Sequence, residues 1–123
     1  MKILGIDDNA DINDLLDTVL NGSGHEFTYV KNGKEGLKLM REKKFDIVLL
    51  DLAMPEFSGF DVIDSLINEG IVSKQKIVLF TASSVLDSEI QELTKKGLYA
   101  CIKKPIDIDF LLEKIEQFAQ IWS

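Results

Sequence analysis

The sequence predicts an α/β fold: a single doubly wound, five-stranded parallel sheet in the order 2-1-3-4-5, with five helices. Three observations lead there. Short apolar runs rich in β-branched residues recur along the chain, and the clearest, Ile47-Val48-Leu49-Leu50, is continuous rather than alternating. Such runs suit strands buried on both faces, as in parallel sheets. Each run is followed by a stretch with apolar residues at helical spacing. Five strand-then-helix units in succession need right-handed crossovers, which place helices on both faces of one sheet. The strand order is the one usual for five-stranded sheets of this kind.

The first strand is predicted over 2–6. The helix after it puts Ile12, Leu15, Leu16 and Val19 on one face, and Asn21-Gly22 with Gly24 ends it. The second strand is predicted over 26–30. Its helix, roughly 34–44, turns Leu37 and Met40 inward and is weakened by Gly36. The third strand, 46–50, leads to a helix with Phe60, Ile63, Leu66 and Ile67 on its apolar face, ending at Gly70. The fourth, 76–80, precedes a helix with Leu86, Ile90 and Leu93, stopped by Gly97; Ser84 with Asp87 has the pattern of a capping box. The fifth strand, 98–102, is followed from about Asp107 by a helix whose stripe is Leu111, Leu112, Ile115, Phe118, Ala119 and Trp122. Phe110 and Ile121 fall off that stripe and are candidates for a partner or dimer surface.

A length of 123 residues with 46% hydrophobic content suits one domain with one well-filled core. The net charge of -7 disfavours nucleic acid and anionic membrane as partners, because the phosphate interaction would be repulsive. The lysine pairs Lys43-Lys44, Lys95-Lys96 and Lys103-Lys104 are scattered and form no basic stripe. A single cysteine, Cys101, excludes an internal disulfide and suits a reducing interior. No apolar segment approaches the length of a membrane span, so a soluble, cytoplasmic protein is expected.

Chemistry concentrates at the carboxyl ends of the predicted strands, where open α/β sheets place their ligands. Strand 1 leads to Asp7 and Asp8, strand 3 to Asp51, strand 4 to Thr81 and strand 5 to Lys104-Pro105. Two like charges about 5 Å apart repel by roughly 3 kcal/mol at an effective dielectric of about 20. Carboxylates gathered in this way call for a cation, and hard oxygen ligands suit Mg2+. With that charge present Asp51 stays ionised and able to act as a nucleophile. Lys104 offers a point charge and Thr81 a hydroxyl donor for a phosphoryl oxygen. The set lacks a nucleotide-cradling glycine loop, a second histidine or a thiol base; it supports phosphoryl transfer to Asp51, because that chemistry needs positioning and charge neutralisation more than acid–base groups.

Over essentially its whole length the sequence resembles a response-regulator receiver domain, which has a flavodoxin-like fold. The resemblance rests on Asp7-Asp8-Asn9, on Asp51-Leu52-Ala53-Met54-Pro55 with Gly59 beyond it, on Thr81-Ala82 and on Lys104-Pro105, in the family's order and spacing. It implies Asp51 as phosphoacceptor, with Mg2+ bound by Asp8 directly, by Asp7 mainly through water, by Asp51 and by the backbone carbonyl of Ala53. It further implies that Thr81 bonds the phosphoryl group, that Lys104 pairs with it, and that the Lys104-Pro105 bond is cis. The implied donor is a sensor histidine kinase or a histidine phosphotransfer protein. The implied output is a change in the face made by the fourth helix, fifth strand and fifth helix, read by a protein partner or a second copy. With residues 1–123 taken up by the receiver, no output domain is expected in this chain, and no enzymatic turnover beyond its own phosphorylation and dephosphorylation. One position departs from the family pattern: Cys101 stands three residues before Lys104, where an aromatic or histidine side chain usually acts as a switch. Tyr99 is expected to face away from it.

Blander readings compete at several positions. Asp7-Asp8-Asn9 also reads as a helix start, since Asp and Asn cap well. Lys103 is expected to be solvated. Cys101 reads as a small, half-buried hydrophobe, and a redox role lacks a resolving cysteine. His25, the lone histidine, excludes a histidine-cluster metal site and is expected at the surface. A Mg2+-dependent aspartyl phosphohydrolase is the rival from another class, but it would want an Asp two residues after the nucleophile, where Ala53 stands. A non-phosphorylated interaction module is the third reading, and the intact acidic pair, Thr81 and Lys104 count against it. Small residues at Ala53 and Ser83 leave room for attacking water, which favours a phosphoryl group that is not unusually long-lived.

Overall fold

In a computed structural model of the chain, the described residues are 1–54, 56–72, 74–82, 86–104 and 107–122, with the side chains of 82 and 119–122 left out. Ten elements follow one another: β1 (Lys2–Ile6), α1 (Ala10–Gly22), β2 (Glu26–Val30), α2 (Gly33–Glu42), β3 (Ile47–Leu50), α3 (Gly59–Asn68), β4 (Lys76–Ala82), α4 (Asp87–Lys95), β5 (Ala100–Lys104) and α5 (Ile108–Trp122). The strands form one parallel sheet in the order β2-β1-β3-β4-β5. Fold class, order and element count match the expectation.

Alternation along the strands builds a core on each face. Leu4, Ile6, Val48, Leu50, Ile77 and Leu79 face α2, α3 and α4, meeting Leu37, Met40, Val62, Ile63, Leu66 and Leu93. Ile3, Ile47, Leu49, Val78 and Phe80 face α1 and α5, meeting Leu16, Leu20, Leu111, Ile115 and Phe118. Gly36, which reads as a weak point in a helix, lies where a β-carbon would overlap the Ile6 side chain. The missing side chain is what lets α2 lie close to β1.

Helix starts are secured locally. Asn9 caps α1 by accepting from the Asp11 and Ile12 amides, Asn32 caps α2, and Ser58 with Asp61 forms a capping box on α3. At α4 the sequence suggests a capping box of Ser84 with Asp87. The residue before α4 is Leu86, without a side-chain cap, and the Asp87 carboxylate is taken by Lys103 instead. Ser84 itself lies outside the described residues.

Other differences from the expectation have physical causes. The strand β4 extends to Ala82, and β5 begins and ends two residues later than predicted, because backbone pairing continues through Thr81–Lys103 and Ala82–Lys104 after the apolar signal has stopped. On α1 the buried residues are Asn13, Leu16 and Leu20, leaving Leu15 exposed; on α3 Val62 is buried and Phe60 exposed. Both helices present a face about one residue rotated from the one their apolar spacing predicts. Tyr99 does face away from Cys101, packing edge-on to Phe118 while Cys101 packs on the opposite side of the sheet. Strand alternation is not the reason, since residues two apart share a face; Tyr99 precedes β5. His25 is half-buried rather than free at the surface: its side chain is 8% exposed, with Nε2 2.9 Å from Glu116 Oε1. Phe110 is exposed and Phe118 buried, as expected, whereas the side chains of Ile121 and Trp122 lie outside the described residues.

Gly59 positions the tip of β3. A β-carbon there would overlap the Asp51 carbonyl and crowd Leu52, and the Gly59 amide donates to the Leu52 carbonyl at 3.2 Å. Both obstructing groups are backbone and cannot swing aside. Gly59→Ala is therefore expected to destabilise the fold by about 1–3 kcal/mol in urea titrations, as overpacking does; an unchanged midpoint would show that the α3 start shifts freely.

Candidate functional site

Parallel pairing of β1 with β3 and of β3 with β4 brings three strand ends side by side. The β1 tip carries Asp7 and Asp8, Asp51 follows β3, and Thr81 lies in the last turn of the ladder of β4. One carboxylate oxygen from each of Asp7, Asp8 and Asp51 can be chosen so that all lie within 4.8 Å of one another. At that spacing each charged pair repels by about 3 kcal/mol at an effective dielectric of about 20.

The surrounding groups partly offset this. Lys104, at the end of β5, places Nζ 2.7 Å from Asp7 Oδ2 and 3.8 Å from Asp51 Oδ2, and 5.3 Å above the Phe80 ring. The Asn9 amide donates to Asp7 Oδ1 at 2.9 Å. Asp51 Oδ1 accepts from the Thr81 hydroxyl at 3.2 Å and from the Ala53 amide at 3.3 Å. Asp7, Asp51 and Thr81 are buried, whereas Asp8 is exposed and opens the cluster to solvent. Compensation is incomplete. Burial, and then the charge of Asp7, push the Asp51 carboxyl above its ordinary value, against the opposing pull of Lys104, the Ala53 amide and Thr81. An arrangement of hard oxygen donors that holds this residual negative charge fits a divalent cation of the Mg2+ type.

All the side chains singled out at the strand ends, Asp7, Asp8, Asp51, Thr81 and Lys104, are thus brought together, while Pro55, Ser83 and Pro105 lie outside the described residues. The described contact of Ala53 is its amide on Asp51. Asn9 is the N-cap of α1, so the helix-start reading holds for it but not for the two aspartates. Lys103 points away from the site, as expected, but is paired rather than simply solvated, with Nζ 2.8 Å from Asp87 Oδ1. Burial raises the Cys101 thiol above its ordinary value, which keeps it protonated and unreactive. Two residues near the site escape sequence reading. Glu56, in the loop after β3, has φ 64°, a left-handed conformation uncommon outside Gly, Asn and Asp. Asn13 is fully buried beneath the acidic pair.

A parallel α/β sheet with a carboxylate cluster, a hydroxyl and an ammonium meeting beyond its strand ends defines a phosphoryl-signalling class of domain. The chain belongs to the response regulator receiver domain family of two-component systems, whose sequence model matches residues 3–116. It is 31% identical over 124 residues to sporulation initiation phosphotransferase F of Bacillus subtilis, covering 99% of this chain and 96% of that one. It is 28% identical to the polar-differentiation response regulator DivK of Brucella anthropi, covering 95% and 94%. Other relatives are longer: the match spans 24% of the transcriptional regulatory protein ZraR of Klebsiella oxytoca. Among solved structures, TrrA of Thermotoga maritima in complex with Mg(2+)-BeF superposes with a TM-score of 0.78 at 31% identity, covering 96% of this chain and 99% of that one. The Francisella response regulator 1452 receiver domain has a TM-score of 0.86 at 24% identity over 99% and 98%, a likeness of fold.

The upward shift of Asp51 fixes the sign of a pH dependence. Its folded-state value lies above the unfolded one, so ionised Asp51 costs stability above that raised value, and the cost vanishes below the ordinary carboxylate range. Asp51→Asn, without divalent cations, is expected to raise Tm by several degrees at pH 7, with the gain shrinking to nothing as pH falls below that range. A gain that persists at low pH would place its origin outside the ionisation of Asp51.

Proposed function

We propose that residues 1–123 act as a receiver in which Asp51 accepts a phosphoryl group from a phosphohistidine, with Mg2+ held by Asp7, Asp8, Asp51 and the Ala53 carbonyl. The observation that carries this reading is the buried Asp51, grouped with the Asp7 and Asp8 carboxylates, with the Thr81 hydroxyl on its Oδ1 and Lys104 Nζ 3.8 Å from its Oδ2. Bound Mg2+ supplies charge neutralisation for the carboxylates and for the transferring oxygens. In the transfer, the bond from phosphorus to the donor imidazole breaks as the bond to an Asp51 oxygen forms. The electron pair returns to the imidazole nitrogen, which takes up a proton. Thr81, already on Asp51 Oδ1, and Lys104, divided between Asp7 and Asp51, are placed to donate to the new phosphoryl oxygens. The name of the Bacillus relative and the Mg(2+)-BeF complex of TrrA support a phosphoryl acceptor of this kind.

The donor is a sensor histidine kinase or a histidine phosphotransfer protein, and the compartment is the cytoplasm. Among the described residues no helix is long and apolar enough to cross a membrane. The signal leaves through α4, β5 and α5 to a protein partner or a second copy, not to nucleic acid. Thr81 draws on the new charge, and the chain after it passes that pull to α4. Cys101 takes no part as an aromatic switch would. The chain turns over no external substrate: the acid–base carboxyl a phosphohydrolase needs is replaced by Ala53.

Incubation with Mg2+ and acetyl phosphate is expected to give a single base-labile adduct by intact mass, absent in Asp51→Ala. No adduct on the wild type, or an undiminished one on the variant, removes Asp51 as the acceptor, and steady phosphate release from many phosphoesters would point to the hydrolase. Cys101→Ala is expected to leave the adduct yield unchanged; its loss would give the thiol a role at the site.

A further inference from the structure

We propose that Asn13 is a positioning residue for the acidic pair, its buried amide holding the peptide between Asp7 and Asp8 so that Asp8 projects into the site. This deepens the reading of Asp7 and Asp8 as ligands of a divalent cation and rests on it.

Asn13 lies on the inner face of α1, between the cap at Asn9 and the core residue Leu16, and is 0% exposed. Its Nδ2 donates to the Asp7 carbonyl at 2.8 Å, a bond buried from solvent. Its Oδ1 is also buried and accepts no hydrogen bond among the described residues. The amide cannot be turned round, since that would set two carbonyl oxygens against each other. A fully buried amide whose oxygen is left unbonded is a poor choice for packing, because an orphaned buried acceptor is destabilising. What the position gains is a donor aimed at one backbone oxygen.

That oxygen belongs to the peptide unit leading into Asp8. Asp7 has other restraints: its amide donates to the Val30 carbonyl at 3.2 Å, and its carboxylate is bonded by the Asn9 amide and by Lys104. The Asp8 side chain has none, being exposed and without a hydrogen bond or ion pair. Its direction follows from the orientation of the preceding peptide plane, and Asn13 is the side chain that fixes that plane. Outer partners of metal ligands commonly contribute ten- to a hundredfold to affinity by restraint of this kind.

The test uses Asn13→Leu, which keeps the volume and removes the donor. The orphaned Asn13 Oδ1 is exchanged for an unbonded Asp7 carbonyl, so Tm without divalent cations is expected to stay close to wild type. Mg2+ affinity by calorimetry is expected to fall about tenfold. Because Asn13 acts through Asp8, the same substitution in an Asp8→Asn background should weaken Mg2+ binding no further. Wild-type affinity in Asn13→Leu, or a loss that adds fully to that of Asp8→Asn, overturns the proposal while leaving the cation site standing. A wild-type protein that binds no Mg2+ removes the cation site and this inference with it. If Asn13→Leu does not fold, Asn13→Ala, with the same single and double comparison, decides the matter.

Discussion

Mutual repulsion among three carboxylates is the constraint around which the rest of this molecule is arranged. Parallel pairing of β1 with β3 forces Asp7, Asp8 and Asp51 to within 4.8 Å at one end of the sheet, with two of them buried. Everything nearby answers that charge. Backbone amides of Asn9 and Ala53 point at carboxylate oxygens, Thr81 reaches in from β4, and Lys104 arrives from β5. Against these donors, burial first and then the charge of Asp7 still raise the Asp51 carboxyl above its ordinary value. The cluster could hold a metal ion; in the proposed reading a divalent cation completes it, and a phosphoryl group on Asp51 would give Thr81 and Lys104 a stronger acceptor than the one they hold now. A tightly paired Asp51 would be inert; an uncompensated one would be protonated.

Much of this could be read from the chain. Continuous apolar runs identified buried parallel strands, and the polar residue after each run identified the site, because ligands gather at strand ends. The reading was weaker wherever the outcome depends on tertiary packing. Leu15 and Phe60 look like core residues by spacing, but rotation of each helix is set by what it meets, and Leu20 and Val62 take the inner places. The end of β5 was missed because Lys103 and Lys104 are polar, although their backbones still pair with β4. His25 looks like a turn residue until Glu116, distant in sequence, arrives beside it. Asn13 gives no signal at all, since an Asn inside a helical pattern reads as solvated, and only the fold reveals the Asp7 carbonyl above it.

The output side follows a different logic from the receiving side. Cys101 is half-buried, protonated and small, so it cannot swing between buried and exposed positions as a ring can. The start of α4 lacks a side-chain cap, and the Lys103–Asp87 pair ties it to β5, next to the strand that carries Thr81. Exposed pairs of this kind are weak and yield to small forces. An α4 start held by an exposed pair rather than by a side-chain cap suits the proposed reading, in which a charge registered at Asp51 changes this surface.

If the acidic cluster is an electrostatic deficit, a divalent cation stabilises the fold by filling it. Thermal unfolding against Mg2+ concentration at pH 7, with ionic strength held constant by sodium chloride, tests it most directly. Tm is expected to climb with Mg2+ as for a ligand bound only by the folded state, by about 2.7 kcal/mol of added stability at a hundredfold excess over Kd. Unfolding curves that superpose with and without millimolar Mg2+ would contradict it.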